Sequence, residues 1–597
     1  MLPRLSQLSR RDLIAGGTVL GAGGIAVVYG VSSNSGDDHG DDQVQFAANA
    51  TAEPTDQIAE TPQPTDAATT AASPPPAAEP IDPARILESA SISDLLDGMT
   101  SGAFTAIQLI ESVLARIELY DRQGPELGAV IETVSDAVEQ AQAADELRLS
   151  GAPLGPLHGI PVLLKDIIAS SDGMKNTAGS TTLEENVVVR DAFMIEQLRA
   201  AGAIIVGKAN LTEWSNFKGV GSITGYSPRG GQSRNPYDPE RSPSGSSSGS
   251  AIGVAAGYVP LAIGAEYNGS IINPAAYCGV VGLKPTVGLI SRSGVIPISY
   301  NQDSPGPMTR SVRDAAIALS VLAALDPEDP SNGDLISQAP AGQFDTNPIP
   351  EPGTADYLKD LVADALEGKR IGIYRRLFGF DSGGDQLVED ALVLMEEAGA
   401  ILVDGVSAGP LEELDSDEIR NLRYRIATTE GHAGFASYFE TYSPDGPIQS
   451  LEDVVAYNND HPDVELVDSD QSGLEDIANQ TLTLSSPEYL EAIQTHNALA
   501  REQGIDAIMD EADVDVLVCP SAGVAPRFDG SSGSETGSAA SFAAYAGYPS
   551  LTIPIGEVDG MPVGMYFFGR AFSEATLLAI AYAVEQLMPK RTPPNLG

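Results

Sequence analysis

Five short apolar runs set the frame for this chain: Ile160-Pro-Val-Leu-Leu-Lys165, Ala203-Ile-Ile-Val-Gly207, Val259–Ile263, Ile371-Gly-Ile-Tyr374 and Ile401-Leu-Val403. Each is too short for a buried helix and the right length for a strand covered on both faces. Segments of helical period precede or separate them. Ile92, Leu95, Leu96 and Met99, then Ile107, Ile110, Val113, Leu114 and Ile117, recur at helical spacing, and further helices are predicted over Val134–Leu149 and near Ala192–Ala201. Strands alternating with helices predict an α/β fold: a large mixed β-sheet covered by helices on both faces. A Pro/Gly/Asp-rich stretch runs from Asp326 to about Asp356, and a mostly helical insertion is predicted over about 411–510. Val514–Val518 and Ser550–Ile555 are late strands that rejoin the same sheet, so residues 83–597 read as one large domain.

Charge narrows the partners. The 597 residues carry 83 acidic against 33 basic side chains, a net charge of −50. That charge repels nucleic-acid phosphates and anionic membrane surfaces, and it suits a strongly solvated surface in high salt. Cys278 and Cys519 both sit in apolar settings and read as small core side chains, although a disulfide between them stays formally open. There is no CxxC pattern, and His39, His158, His432, His461 and His496 are scattered. The sequence therefore offers no zinc ligand set, and neither metal nor cofactor is expected.

The amino terminus reads as an address. Ser9-Arg10-Arg11-Asp12 precedes a charge-free stretch, Leu13–Val31, in which six of 19 residues are glycine. Paired arginines before a weakly apolar, Gly-rich segment form the twin-arginine export pattern, placing the folded protein in the periplasm, envelope or medium. No Ala-x-Ala cleavage site is clear, so retention of residues 1–31 as a membrane anchor stays open. Residues 32–82 contain neither Lys nor Arg and are rich in Pro, Ala, Thr, Asp and Glu. Such a segment buries too little apolar surface to offset its ordering entropy, and it reads as a disordered acidic linker.

Three segments carry chemistry. Lys165 ends the first apolar run. A lysine there more often reaches solvent, but in a dry site its ammonium would lose protons readily and serve as a base. Ser242-Pro-Ser-Gly-Ser246-Ser-Ser-Gly-Ser250 is a loop by composition, yet Ala251-Ile-Gly-Val-Ala-Ala follows at once, so the loop enters a helix. Gly245-Ser-Ser-Ser-Gly249 also fits G-x-S-x-G, which would make Ser247 a nucleophile. That motif needs a preceding strand, and Arg234–Pro243 contains three prolines instead. The third segment, Glu266-Tyr-Asn-Gly-Ser270, follows an apolar strand. It is either a plain strand-to-helix turn or one whose N–H groups converge as an oxyanion hole.

Taken together, these segments resemble the amidase signature family over about Ser91 to Leu587. The densest matches are Leu157-His-Gly-Ile-Pro-Val-Leu-Leu-Lys-Asp166, the serine loop, Cys278–Gly288 and Asp303-Ser-Pro-Gly-Pro-Met-Thr-Arg310. The resemblance implies Lys165 as general base, Ser246 as relay serine with a cis peptide bond, and Ser270 as nucleophile. Backbone N–H groups of Tyr267, Asn268 and Gly269, with that of Ser270, would form the oxyanion hole. Glu266, the Gly-Ser-Ser-Ser-Gly loop, Asn210–Ser215, Arg229–Pro236 and Pro297–Asp303 look most like the bacterial peptide amidase branch. That branch implies a peptide amide substrate. An aryl or acyl amide substrate, an amidotransferase subunit and a non-catalytic binding protein on the same fold remain as alternatives.

Overall fold

The structure, a computed structural model, describes residues 83–329, 349–407, 409, 411, 414, 416–530 and 538–597. The expected export segment 1–31 and acidic linker 32–82 lie outside these residues, as do residues 330–348 of the Pro/Gly/Asp-rich stretch. Thirteen strands are described. They are β1 (Val130–Thr133), β2 (Pro161–Lys165), β3 (Ile204–Ala209), β4 (Tyr226–Ser227), β5 (Gly231–Gln232), β6 (Leu261–Glu266) and β7 (Val281–Lys284). The remainder are β8 (Ser304–Thr309), β9 (Arg370–Ile373), β10 (Ile401–Val403), β11 (Val516–Pro520), β12 (Ser550–Val558) and β13 (Met561–Phe568). Apart from the small β4–β5 pair, they form one 11-stranded sheet in the order β1-β3-β2-β6-β8-β7-β12-β13-β11-β9-β10. Its pairings are mixed: β2 runs parallel to β3 and β6, and β9 parallel to β10 and β11, while β8 runs antiparallel to β6 and β12 antiparallel to β7.

Alternation along the strands shows that both faces are covered. Val516 and Val518 of β11 pack into one core, with Val563, Met565 and Phe567 of β13. Leu517 and Cys519 pack into another, with Tyr566 and Phe568. Successive side chains of a strand point to opposite faces, so the two cores lie on opposite sides of the sheet. Helices Ser382–Glu397 and Glu574–Leu587 close the first through Val388, Leu392, Leu577 and Val584. Helices Pro487–Ala500, Asp506–Ala512 and Ser541–Ala546 close the second through Leu499, Met509 and Phe542. Each such fully buried side chain contributes about 1.5–3 kcal/mol relative to an exposed one. Both cysteines are buried and free, so no disulfide joins them.

Several boundaries differ from the sequence reading. Val134 does not begin a helix; its N–H donates to Val206 O, and the helix starts at Ala137. The runs expected at Val259–Ile263 and Val514–Val518 are strands shifted to Leu261–Glu266 and Val516–Pro520. β1, β7, β8 and β13 are strands that hydropathy did not announce. β8, Ser-Pro-Gly-Pro-Met-Thr, lies in mid-sheet despite two prolines. Its pairing with β6 runs from Thr309 to Ser304, whereas pairing with β7 stops at Met308, where Pro307 begins. A proline cannot donate to a ladder, so the strand keeps one complete neighbour and gives up the other.

Between β10 and β11 the described elements are helical, led by Asp417–Tyr442, whose N-cap Ser416 accepts from Ile419 N–H. This long helix carries Arg423 and Glu430 into the buried interior. Among the described residues no helix is long and apolar enough to cross a membrane.

Candidate active site

The site begins where two parallel strands end together. β2 and β6 are neighbours, with Val162, Leu163 and Leu164 opposite Leu261, Ala262 and Ile263. A crevice at the carboxyl ends of adjacent parallel strands is where α/β folds place their chemistry. Continuing both strands brings Lys165 beside Ala265, and Lys165 Nζ donates to Ala265 O at 3.1 Å. The same amine lies 2.7 Å from Ser246 Oγ. Lys165 is fully buried, so the solvent reading of a strand-end lysine fails. Burial pushes its ammonium down from the ordinary 10.5 to about 7, against the opposing pull of the Asp303 and Glu266 carboxylates. Desolvation wins, and the neutral amine becomes accessible near neutral pH.

The serine loop is pinned rather than flexible. Its Gly245–Ser246 peptide bond is cis. Ser246 O accepts from Thr212 N–H at 3.1 Å, Ser248 Oγ donates to Ser244 O at 2.6 Å, and Gly249 N–H donates to Asn210 O at 2.8 Å. A Cβ on Gly249 would stand 2.2 Å from Ala129 O, so only glycine permits that approach. The loop leads into helix Ser248–Ala255, every residue of which is buried. Ser247, the residue a nucleophile elbow would present, instead accepts from Ala265 N–H and donates to Ala265 O, each at 3.1 Å.

The third segment turns tightly after β6. Glu266 Oε2 accepts from Ile271 N–H at 2.8 Å and Ile272 N–H at 3.1 Å, tying the strand end to the helix Ile272–Tyr277 beyond. Gly269 has φ +82°, and a Cβ there would meet Asn273 Nδ2 at 2.6 Å. Ser247 N–H donates to Ser270 O at 3.1 Å, which draws the turn onto the serine loop. Lys165 and Ser246, distant in sequence, are thus bonded to each other, and Ser270 is tied to the residue that follows Ser246. Among the described residues the N–H groups of Tyr267, Asn268, Gly269 and Ser270 have no acceptor. Ser270 is buried and Asn268 is exposed, so the turn faces solvent on one side.

Other residues at the site arrive from remote segments, and no local pattern assigned them a place beside Lys165 or the turn. Asp303 accepts from Ile298 N–H at 2.7 Å and Ser299 N–H at 2.9 Å, and burial pushes its carboxyl up to about 7. Beside Glu266 and Tyr267, a narrow cavity is walled by Ile167, Val295, Ile296, Ile298 and Asp303. On the other side Asn268 Nδ2 meets the Tyr545 hydroxyl at 3.4 Å, and the Arg423 guanidinium stacks 3.7 Å above the Tyr545 ring. Among the described residues no group of three His, Cys, Asp or Glu side chains is placed to hold a metal ion.

A buried amine bonded to a serine beside a glycine-bearing turn defines an amide-cleaving class of enzyme, and comparison with known proteins agrees. The Amidase family model matches residues 108–578. A probable amidase of Arabidopsis thaliana is 36% identical over 519 residues, covering 85% of this chain and 92% of that protein. The native peptide amidase of Stenotrophomonas maltophilia superposes with a TM-score of 0.77 at 41% identity, covering 85% of this chain and 99% of the other. A peptide amidase bound to the competitive inhibitor chymostatin gives 0.78 at 42% identity with the same coverage. The chain belongs to the amidase family. It is an amidohydrolase acting on amides, built on the fold of the peptide amidase structures.

Proposed function

We propose that the protein hydrolyses C-terminal amides of peptides, with Lys165, Ser246 and Ser270 as the catalytic triad, and that it works after export by the twin-arginine route. The observation that carries the triad is the 2.7 Å bond from a fully buried Lys165 amine to Ser246 Oγ. In the neutral state the amine accepts the Ser246 proton, Ser246 takes the Ser270 proton, and Ser270 Oγ attacks the amide carbonyl. The N–H groups of Tyr267, Asn268, Gly269 and Ser270 receive the tetrahedral oxyanion, each donor worth roughly 3 kcal/mol. The C–N bond then breaks, the relay returns a proton to the leaving nitrogen, and ammonia departs. Water attacks the acyl-Ser270 ester by the same relay and frees the acid.

The peptide substrate rests on similarity to the two peptide amidases, which covers nearly all of both. A buried Ser270 also suits a chain end with a small leaving group. The apolar wall of Ile167, Val295, Ile296 and Ile298 favours a second reading, in which an aryl or alkyl amide fills the site. Ammonia release from matched peptide amides and from small aryl and alkyl amides decides between them. Clear preference for the small amides would overturn the peptide reading and leave the triad untouched. The export reading rests on Arg10-Arg11 and the Gly-rich stretch that follows.

A further inference from the structure

Arg423 stands out among the buried arginines. Arg116, Arg292, Arg310 and Arg501 each have at least two acceptors, carbonyls or carboxylates, within hydrogen-bond reach. Arg423, 9% exposed, has one among the described residues: Nη1 donates to Leu414 O at 2.7 Å. It forms no ion pair there, although the chain holds 83 acidic residues. A buried cation without a carboxylate partner is unfavourable, and an acceptor supplied from outside would offset that cost. The guanidinium carbon sits 3.7 Å from the Tyr545 ring centroid, so the fork is held against the ring before anything binds. Two further polar groups converge on the same ring. Asn268 of the turn reaches the Tyr545 hydroxyl, and His496 lies edge-on to the ring at 6.2 Å with a buried Nε2 that has no partner. The Arg423 fork thus keeps unused donors against the ring that Asn268, two residues before Ser270, also reaches.

We infer that Arg423 is a specificity-determining residue that binds a second carbonyl oxygen of the substrate, the peptide carbonyl preceding the amidated residue. This rests on the peptide-amide reading above and adds the residue that recognises the peptide. A guanidinium bond to that oxygen helps a peptide amide and does nothing for a simple amide, which has no second carbonyl. Arg423 touches no reacting atom, so its loss should act through KM rather than kcat.

The test uses the full chain and two substrates, an N-acetyl amino-acid amide and an alkyl amide of similar length without the second carbonyl. Arg423→Met, which retains an unbranched stem over Tyr545, should raise KM for the acetylated amide about tenfold or more with kcat nearly unchanged. For the alkyl amide neither constant should move. Arg423→Lys, with a charge and no fork, should fall between. Equal losses on both substrates, or no loss on either, would overturn the assignment while the wild type still turns over the acetylated amide. If the wild type ignores the acetylated amide, the peptide reading itself fails and takes this inference with it. Thermal unfolding of each variant separates a folding defect, which weakens both substrates alike, from lost recognition.

Discussion

The Ser247 hydroxyl holds both backbone groups of Ala265, accepting from its N–H and donating to its carbonyl at 3.1 Å each. That pair locks the serine loop against the end of β6, and it leaves Ser247 no free hydrogen-bonding role in catalysis. Ser247→Ala should therefore cost about 1–3 kcal/mol of stability, because Ala265 N–H loses its buried acceptor. A serine-directed fluorophosphonate should still label Ser270 in that variant. Ser270→Ala should show the reverse: unchanged unfolding, no label and no turnover. Labelling of Ser247, or more than trace activity in Ser270→Ala, would reverse the assignment.

As the proposed base, Lys165 would work only when neutral, so kcat/KM should fall as pH drops through about 7 and level off above it. The Asp303 carboxylate opposes the downward shift. Asp303→Asn should therefore move this limb to lower pH, since a lost negative neighbour destabilises the ammonium. Lys165→Ala should remove nearly all activity. A limb that persists in its residual rate would assign the titration to another group.

Gly269→Ala should cripple the turn. Its φ of +82° disfavours a side chain, and the added Cβ would overlap Asn273 Nδ2 at 2.6 Å. Tilting the turn by a fraction of an ångström misaims the N–H donors, so kcat should fall about 10²-fold, as for loss of one oxyanion donor. Full kcat in a folded Gly269→Ala protein would remove the turn from the oxyanion role.

Arg10→Lys with Arg11→Lys should leave precursor in the cytoplasm. The export receptor reads the arginine pair rather than its charge, so a charge-preserving change is the sharpest test. Fractionation with antibody detection measures it, and equal export of the double variant would point to another route.

What the sequence determined by itself was local. Period-2 and period-3.6 apolar patterns identify strands and helices because burial repeats with the geometry of each element. They yielded the class of fold and the ends of several elements. The resemblance of Lys165, the serine loop and the Glu266–Ser270 turn to the amidase signature family pointed to the chemistry. Local pattern failed at β8, where Pro-Gly-Pro reads as a loop and only a complete neighbour, β6, makes it a strand. It was ambiguous at Lys165, because nothing local tells a lysine at a strand end from one in a dry crevice. That distinction came from the parallel pairing of β2 with β6 and the loop folded over both, which together exclude water and lower the affinity of the amine for its proton. Glu266 bracing the turn, Ser247 holding Ala265, and Arg423 brought over Tyr545 from 122 positions away were likewise decided only in three dimensions. Contacts between distant segments leave no periodic trace in a single sequence, since any one of them depends on where every intervening element packs.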